Sequence, residues 1–318
     1  MRVSIIVPVY YNQDNLWPLY NDIKTKFINK IDYEYEIVMV NDGSGDNSYC
    51  IMEELAHNDK NVKIISLSKN FGSHAAMLCG LKYCTGDCAI IKSADLQEPT
   101  EMMLEMVNLW KTGDNVVLAV REGRDEARQK EFFANLYYWI VRKFALSNMP
   151  KKGFDVYLID RKVIDVLISF DEVNSALTCQ VLWSGFKTGT IYYRRVAREI
   201  GTSKWTIKKK IRLVKDTLFS FSSLPITIVL QVGSISIIGA IIWAIIEVCM
   251  KLAGRIVVAG WTTLFIFNLL SFGITMMTLG VLGEYLWRTF DASRNRPPYI
   301  IEESNLSVKG EVQNNKEY

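Results

Sequence analysis

Short apolar runs alternate with amphipathic stretches along the first 200 residues of the chain. The apolar runs predict strands at Val3–Val7, Glu36–Val40, Val62–Leu67 and Cys88–Lys92. The stretches between them predict helices at Leu16–Phe27, Ser48–His57 and Ser73–Lys82. Strands that are apolar throughout and separated by helices are typical of parallel sheets covered on both faces. The pattern therefore predicts an α/β domain with a mainly parallel, Rossmann-like sheet.

Polar residues gather where three of these strands end. Pro8–Asn12 follows the first strand, Asn41–Asp46 the second, and Ser93–Pro99 the strand near residue 90. One such cluster alone would be an ordinary turn. Because ligands of parallel sheets bind beyond the carboxyl ends of the strands, three clusters at one edge favour a nucleotide site. Asp42 at a strand tip can accept a hydrogen bond from a ribose hydroxyl or a base N–H.

The third cluster also has the chemistry of a cation site. Asp95 and Gln97 lie two residues apart on a segment expected to be extended. Both offer hard oxygen ligands, which suit Mg²⁺ or Mn²⁺ bridging phosphates. We therefore predict that these two residues are the metal ligands.

Two long segments without any charge follow the α/β part, over residues 224–246 and 257–283. Each exceeds the ~20 residues that a helix needs to cross a bilayer. Because the connector is short, we predict an α-helical two-span transmembrane hairpin, with helices at about 224–246 and 262–283. The alternative is a pair of buried helices in a large soluble core, but such helices rarely stay free of charge for so long.

Lysine and arginine are concentrated at the outer ends of the hairpin. They are Lys204, Lys208, Lys209, Lys210, Arg212 and Lys215 before it, and Arg288, Arg294 and Arg296 after it, against Lys251 and Arg255 in the connector. The positive-inside rule places both termini and the α/β domain in the cytoplasm. The start of the chain leads directly into the first strand, so no signal peptide is expected. We therefore predict a multi-pass protein of the cell inner (plasma) membrane, with the lipid bilayer as a partner.

The pattern divides the chain into four parts. Residues 1–203 form the cytoplasmic α/β domain, 204–222 a basic amphipathic helix, 223–288 the transmembrane hairpin, and 289–318 a cytoplasmic tail. Apolar residues interleave with the lysines of 204–215, which predicts a helix lying in the membrane interface. Small residues in the spans, such as Gly239 and Gly273, permit close helix packing within or between chains, so the spans are compatible with a homo-oligomer.

Composition narrows the classes of function. The 37 Lys and Arg nearly balance the 34 Asp and Glu, so the chain is not expected to coat a nucleic acid. Only two histidines are present, His57 and His74, which excludes a histidine-rich metal site. Six cysteines in 318 residues do not make a disulfide scaffold, and the spacing of Cys79, Cys84 and Cys88 favours buried thiols over a metal cluster.

Several motifs together resemble one enzyme family. They are Ile6-Val7-Pro8-Val9-Tyr10, Val40-Asn41-Asp42-Gly43-Ser44, Lys69-Asn70-Phe71-Gly72, Ala94-Asp95-Leu96-Gln97-Glu98-Pro99, Gly153-Phe154-Asp155, the run from Arg195 to Trp205, and Arg296-Pro297-Pro298-Tyr299-Ile300. In this order the chain resembles the family 2 inverting glycosyltransferases of GT-A fold. Within that family it is similar to the polyprenyl-phosphate glycosyltransferases, the branch of dolichyl-phosphate-mannose synthases and bactoprenol glucosyltransferases.

The resemblance implies a reaction and assigns residues to it. A hexose, most simply from UDP-glucose, would pass with inversion to polyprenyl (undecaprenyl) phosphate, giving a lipid-linked sugar for a cell-surface glycan. The implied nucleotide-sugar residues are Pro8, Tyr10, Asn12, Asp42, Lys69, Ser93, Ala94, Asp95, Gln97 and Arg121. The implied phosphate and acceptor residues are Arg128, Arg198, Ser203 and Lys204. Asp155 and Asp95 would be catalytic, with Mg²⁺ or Mn²⁺ on Asp95 and Gln97.

The chain departs from the family pattern at two positions. Ser93 stands where an aspartate usually begins the metal motif, and Asn41 stands where an acid is common. A serine hydroxyl can hold a metal-bound water or donate to a phosphate, but it supplies no charge. We therefore expect weaker metal affinity or an altered fit of the donor.

Two other classes of function compete with a transferase. One is a membrane-anchored dehydrogenase or other nucleotide-binding protein, but the fingerprint beginning at Gly43-Ser44-Gly45 has Ser48 in place of its third glycine. The other is a two-span scaffold or transport subunit without transferase activity. No buried charge pair marks a pathway in the spans, and Gln231 and Asn268 are more simply helix–helix contacts.

Overall fold

The computed structural model describes residues 1–122, 128–170, 176–196, 207–253 and 260–306. Its centre is a mixed eight-stranded sheet. The strands are β1 Arg2–Val9, β2 Glu34–Asn41, β3 Val62–Leu67, β4 Cys88–Ile91, β5 Val116–Arg121, β6 Phe154–Asp160, β7 Thr188–Tyr193 and β8 Ile301–Ser304. The helices are α1 Gln13–Lys26, α2 Ser48–Asn58, α3 Ser73–Tyr83, α4 Met102–Lys111, α5 Arg128–Phe144, α6 Arg161–Ile168, α7 Leu177–Trp183, α8 Ile207–Phe221, α9 Leu224–Leu252 and α10 Trp261–Ser293. The strands and helices predicted up to residue 92 are confirmed.

The order of strands creates a switch point in the middle of the sheet. The order is β7-β5-β6-β4-β1-β2-β3-β8, with β1 parallel to both β2 and β4. The chain moves outward from β1 to β2 and β3, then returns to place β4 on the other side of β1. Only β6 and β8 run antiparallel to their neighbours in the described sheet. In such sheets the crevice beyond the carboxyl ends of the two central strands is where ligands bind.

Both faces of the sheet are covered at its centre, which explains the apolar runs of its central strands. Ile5 and Ile6 point to opposite faces of β1, and both are fully buried. One core packs under α1, α2 and α4, and the other under α3, α6 and α7. Cys79, Cys84 and Cys88 are buried free thiols, as the sequence predicts.

The segment predicted as a cytoplasmic tail returns to the α/β domain. β8 pairs antiparallel with β3 and forms an edge of the sheet. The Asn305 side chain accepts from the Ile64 amide at 2.8 Å and donates to the Val62 carbonyl oxygen at 3.2 Å. The chain therefore leaves the α/β domain before α9 and rejoins the same domain after α10.

Helix α8 packs on the α/β domain, and this partly corrects its interpretation as an interfacial helix. Thr217 is fully buried and its hydroxyl lies 3.2 Å from that of Tyr137 on α5. Leu213 and Phe221 pack against the core that contains α3 and α7. An amphipathic pattern does not reveal which apolar surface will cover it, and here the protein core covers at least part of it.

Helices α9 and α10 form a hairpin in the region of the predicted spans. By length and composition, one helix within the described ranges is apolar enough to cross a membrane, over Leu224–Trp243, and no part of that window is buried. The second predicted span is therefore not confirmed by this criterion. Large apolar side chains are nevertheless exposed on both helices, for example Ile235 (70%) on α9 and Leu286 (69%) on α10.

Charged residues join α10 to α8. Arg288 donates to Asp216 at 2.8 Å, to Glu284 at 3.1 Å and to the Ser220 hydroxyl at 3.1 Å. Lys215 forms a further ion pair with Glu284 at 2.7 Å. Because α8 is packed on the α/β domain, this cluster fixes one end of the hairpin to that domain.

Replacing Arg288 by glutamine should loosen this connection. The change leaves Asp216 and Glu284 partly buried without their shared cation, which costs about 1–3 kcal/mol. We expect the detergent-purified protein to unfold at a temperature several degrees lower, measured by intrinsic fluorescence. Arg294→Gln is the control variant. It removes one positive charge just after the end of α10, where the guanidinium lies over the Phe290 ring. Equal melting temperatures for the two variants would contradict a specific role of the cluster.

Candidate functional site

The carboxyl edge of the sheet brings together residues that are far apart in sequence. β1, β2, β3, β4, β5 and β7 all end there, and β6 begins there with Asp155. The Ser93–Gln97 segment thus lies between the loop after β1 and the start of β6. Pairing of Arg121 with Tyr193 places the ends of β5 and β7 side by side. The predicted clusters therefore converge at the switch point.

The loops after β1 and β2 are cross-linked by serine hydroxyls. The Tyr11 amide donates to Ser44 Oγ at 3.1 Å, and the Asn12 amide donates to Ser48 Oγ at 3.1 Å. Ser48 thus has a structural role at the position where a dinucleotide fingerprint has a glycine. Pro8, Tyr10 and Asn12 are partly exposed along this loop, where a nucleoside can reach them.

Asp42 organises the loop between β3 and α3. Its carboxylate accepts from the Phe71 amide at 2.7 Å, the Gly72 amide at 3.0 Å and the Asn70 side-chain amide at 3.0 Å. The side chain is almost fully buried. The Gly72 amide also lies 3.2 Å from the other carboxylate oxygen, so the role of Asp42 in this structure is to shape the loop that carries exposed Lys69.

The segment after β4 folds into a tight polar turn. Leu96 takes a positive φ of 58°, and this brings Asp95 and Glu98 back towards Ser93. Ser93 Oγ lies 2.7 Å from Asp95 Oδ1 and 2.5 Å from Glu98 Oε2. An aspartate in place of Ser93 would set a third carboxylate against these two, whereas a hydroxyl can donate its one hydrogen to either of them.

Two cations contact the same turn. Lys92 is fully buried and donates to the Glu98 carbonyl oxygen at 2.8 Å, and burial lowers its pKa. Arg195, just beyond β7, donates to Gln97 Oε1 at 2.7 Å and lies 3.6 Å from a carboxylate oxygen of both Asp95 and Glu98. The Val196 amide donates to the Gln97 carbonyl oxygen at 3.0 Å. The turn is thereby fastened to the segment after β7.

Arg121 and Asp155 form an ion pair across the ends of β5 and β6. Arg121 is 4% exposed, whereas the Asp155 side chain is 37% exposed. Nε and Nη1 of Arg121 have no hydrogen-bond partner among the residues that the structure describes. Tyr193 is buried beside them, and burial raises the pKa of its hydroxyl. A buried guanidinium with N–H groups to spare can receive a phosphate.

The donor set fits an ion that arrives with a diphosphate. Mg²⁺ is usually held by one or two carboxylates together with substrate phosphates. Asp95 and Gln97 supply one carboxylate and one amide oxygen, which matches that arrangement. Within the described ranges, no group of three or more His, Cys, Asp or Glu side chains could hold an ion by itself.

The structure thus brings most of the sequence-predicted residues to one edge. Pro8, Tyr10, Asn12, Asp42, Lys69, Ser93, Ala94, Asp95, Gln97, Arg121 and Asp155 all lie there. Arg198, Ser203 and Lys204 lie outside the described residues, as does the side chain of Arg128. Glu98, Lys92 and Arg195 were given no role from the sequence; their contacts emerge only when β4 and β7 are brought to the same edge.

His74 lies on α3, with its ring near Asp216 of α8. Burial lowers the pKa of His74 to about 4, so the ring is neutral at physiological pH.

Known proteins resemble this chain over most of its length. Residues 4–163 match the family described as glycosyl transferase family 2. An uncharacterized glycosyltransferase of Bacillus subtilis, YkcC, is 34% identical over 305 residues, which cover 96% of this chain and 94% of that protein. The bactoprenol glucosyl transferase of Shigella phage SfV is 32% identical, covering 95% and 98%. A Pyrobaculum calidifontis mannosyltransferase solved with GDP-mannose and Mn²⁺ aligns at a TM-score of 0.42 and 15% identity, over 87% and 86%.

Proposed function

The chain belongs to glycosyl transferase family 2 and is a glycosyltransferase, and on this basis we propose that it transfers a hexose from a nucleotide-sugar to polyprenyl phosphate. UDP-glucose is the proposed donor and undecaprenyl phosphate the proposed acceptor. The observation that carries the proposal is the convergence of Asp95 and Gln97 with the Arg121–Asp155 pair at the switch point of a GT-A-like sheet. Relatives named bactoprenol glucosyl transferase support a lipid-linked product.

The donor would lie across the ends of β1, β2 and β4. Tyr10 and Asn12 line the β1 loop against the nucleoside, with Asp42 and Lys69 on the next loops. Asp95 and Gln97 would hold Mg²⁺ or Mn²⁺ on the diphosphate. When bound, that ion supplies positive charge that stabilises the departing nucleoside diphosphate. Ser93 lies where its hydroxyl can reach a phosphate oxygen once the turn opens towards the donor.

The acceptor needs positioning more than activation. A phosphate monoester has a second pKa near ~6, so at neutral pH most of it is a dianion that is already nucleophilic. One of its oxygens attacks the anomeric carbon, the bond from that carbon to the diphosphate oxygen breaks, and the configuration inverts. Asp155 would orient the acceptor or take the remaining proton of a monoanion. Arg121, with Arg128, Arg198, Ser203 and Lys204, would neutralise the phosphates.

Chain connectivity supports the two-span hairpin. α8 packs on the α/β domain before α9, and β8 joins the same sheet after α10. The chain between them must therefore cross a membrane an even number of times. If Leu224–Trp243 crosses, then α10, which has no charge from Trp261 to Gly283, provides the return.

We propose the cytoplasmic face of the membrane as the place of the reaction. The lysines and arginines flanking the hairpin favour a cytoplasmic α/β domain and cytoplasmic termini. A polyprenyl tail stays in the bilayer, so its phosphate meets the enzyme at the cytoplasmic interface of the plasma membrane. Exposed apolar side chains along α9 and α10 suit contact with lipid or with a second copy of the hairpin.

A donor and acceptor panel tests the proposal. The full chain, in nanodiscs of phosphatidylethanolamine and phosphatidylglycerol, is incubated with undecaprenyl phosphate and labelled UDP-glucose, UDP-galactose, UDP-N-acetylglucosamine or GDP-mannose. We expect label in the organic phase with UDP-glucose, and a β-linked product by NMR from the α-linked donor. Undecaprenol, which lacks the phosphate, is the matched control and should give none.

The outcomes of the panel test the donor, the acceptor and the transferase activity separately. A different preferred donor overturns the assignment of glucose but keeps the lipid acceptor. Absence of a lipid-linked sugar with every donor overturns the polyprenyl acceptor. Nucleotide binding without any transfer would then favour the alternative of a membrane-anchored nucleotide-binding protein or scaffold.

A further inference from the structure

A single nitrogen atom of Arg195 lies among the oxygens that should face the metal ion. Nη2 is 2.7 Å from Gln97 Oε1 and 3.6 Å from both Asp95 Oδ2 and Glu98 Oε1. Gln97 and Asp95 are the two proposed metal ligands. The guanidinium therefore holds the same oxygens that a divalent cation would use.

The guanidinium and an ion cannot share these oxygens in the present geometry. Mg²⁺ binds oxygen at roughly 2.0–2.1 Å. An ion placed at that distance from Gln97 Oε1, on the side facing Asp95, would overlap Nη2 of Arg195, which lies 2.7 Å from the same oxygen. Two positive charges so close together would also repel each other strongly in a partly buried site. Entry of the ion thus requires Arg195 to move away.

Positive charge already lies beside the carboxylates of the turn without an ion. Within the described part of the chain, the carboxylates of Asp95 and Glu98 each lie 3.6 Å from Arg195, and buried Lys92 donates to the backbone carbonyl oxygen of Glu98. A free divalent cation would therefore find little uncompensated negative charge. A nucleoside diphosphate brings negative charge of its own, and it offers both the ion and a displaced guanidinium new partners.

We propose that Arg195 is a positioning residue that occupies the cation site until the nucleotide arrives, so that ion binding depends on nucleotide binding. This rests on the proposed function, because it assumes that Asp95 and Gln97 receive a metal–diphosphate. The arrangement allows displacement: the Arg195 side chain is 19% exposed, and its Nε has no hydrogen-bond partner among the described residues. The backbone bond from Val196 to Gln97 keeps the segment in place meanwhile.

Direct binding of Mn²⁺ tests this without any turnover. The loss of the free Mn²⁺ signal in electron paramagnetic resonance is titrated for the full chain in nanodiscs, alone and with saturating UDP or GDP. For the wild type we expect weak binding of Mn²⁺ alone and about tenfold tighter binding with the better nucleotide. Arg195→Gln should bind Mn²⁺ alone about tenfold more tightly than the wild type, and its gain from nucleotide should shrink to a few-fold.

Lys187→Gln is the matched control. It removes one positive charge at the opposite end of β7, where Lys187 is exposed and pairs with Asp114. It should bind Mn²⁺ as the wild type does. Arg195→Lys keeps the charge and should retain most of the dependence on nucleotide. Circular dichroism confirms that the variants fold.

The wild-type titration alone can overturn the proposal. Tight binding of Mn²⁺ without nucleotide contradicts it whether or not any variant folds, and so does an Arg195→Gln variant that binds Mn²⁺ no more tightly than Lys187→Gln. The donor panel could instead fail while Arg195→Gln still tightens the binding of Mn²⁺ alone. That result would count against the proposed acceptor and not against the role of Arg195, so the two results are separable.

Discussion

Replacing Asp155 by asparagine is expected to lower turnover by about 10²–10⁴-fold, the range that loss of a positioned acid or base costs. Asparagine keeps the shape of the side chain but removes its negative charge. It can still accept a hydrogen bond from Arg121, so the fold should survive. Turnover is measured with labelled donor and undecaprenyl phosphate, and the fraction of folded protein by thermal unfolding.

The dependence of this effect on pH separates the two roles open to Asp155. If Asp155 takes a proton from a monoanionic acceptor, the ratio of wild-type to variant rates should fall as the pH rises above the acceptor's second pKa near ~6. If Asp155 orients the acceptor, the ratio should stay constant. Either way the loss in kcat should exceed any rise in KM for the donor.

A purely structural role for Asp155 predicts a different result. Arg121 would lose the negative charge of its partner, stability would fall by about 1–3 kcal/mol, and turnover per folded molecule would stay near that of the wild type. Asp165→Asn provides the comparison, because Asp165 is 60% exposed and pairs only loosely with Arg161 at 3.8 Å. If both variants turn over equally, the proposed role of Asp155 is wrong.

The periodicity of the sequence was sufficient to predict the centre of the fold. β1 carries the unbroken apolar run Ile5–Val9 and β2 the run Ile37–Val40, and a polar loop follows each strand. Since parallel strands end at one edge, placing Asp42 and Asp95 at that edge needed no distances, whereas Asp155 lies at the start of antiparallel β6 and was assigned by the family resemblance alone. The order of the motifs indicated the family, and the family match and the sequence relatives confirm that family.

Contacts between distant segments could not be predicted in this way. Ile301–Ser304 is too short and polar to stand out as a strand, and it becomes one because β3 offers an unpaired edge. The amphipathic pattern of α8 indicates an apolar surface but not whether protein or lipid covers it. The position of Arg195 depends on the register of β7 against β5, which the sequence does not disclose.

The largest expected loss of stability comes from a backbone contact beside the site. Gly43 has a φ of 63°, and a Cβ placed on it would lie 2.4 Å from the carbonyl carbon of Lys69 and 2.6 Å from the amide nitrogen of Asn70. These are backbone atoms, so no side-chain rotation can relieve the overlap. The absence of a side chain at Gly43 lets the loop after β2 approach the loop after β3 closely enough for Asp42 to bind the Phe71 and Gly72 amides.

Replacing Gly43 by alanine should therefore reduce the free energy of unfolding by about 2–4 kcal/mol, the sum of a left-handed backbone strain and an overpacked contact. Gly113→Ala is the control, because Gly113 also has a positive φ, 102°, but nothing lies within 4 Å of its Cβ position. It should show the strain of about 1–2 kcal/mol alone. Thermal unfolding in detergent measures both.

Because the displaced loop carries Lys69, Gly43→Ala should also weaken UDP binding, whereas Gly113→Ala should leave it unchanged. Identical melting temperatures and nucleotide affinities in the two variants would show that the close approach of the two loops does not support the site.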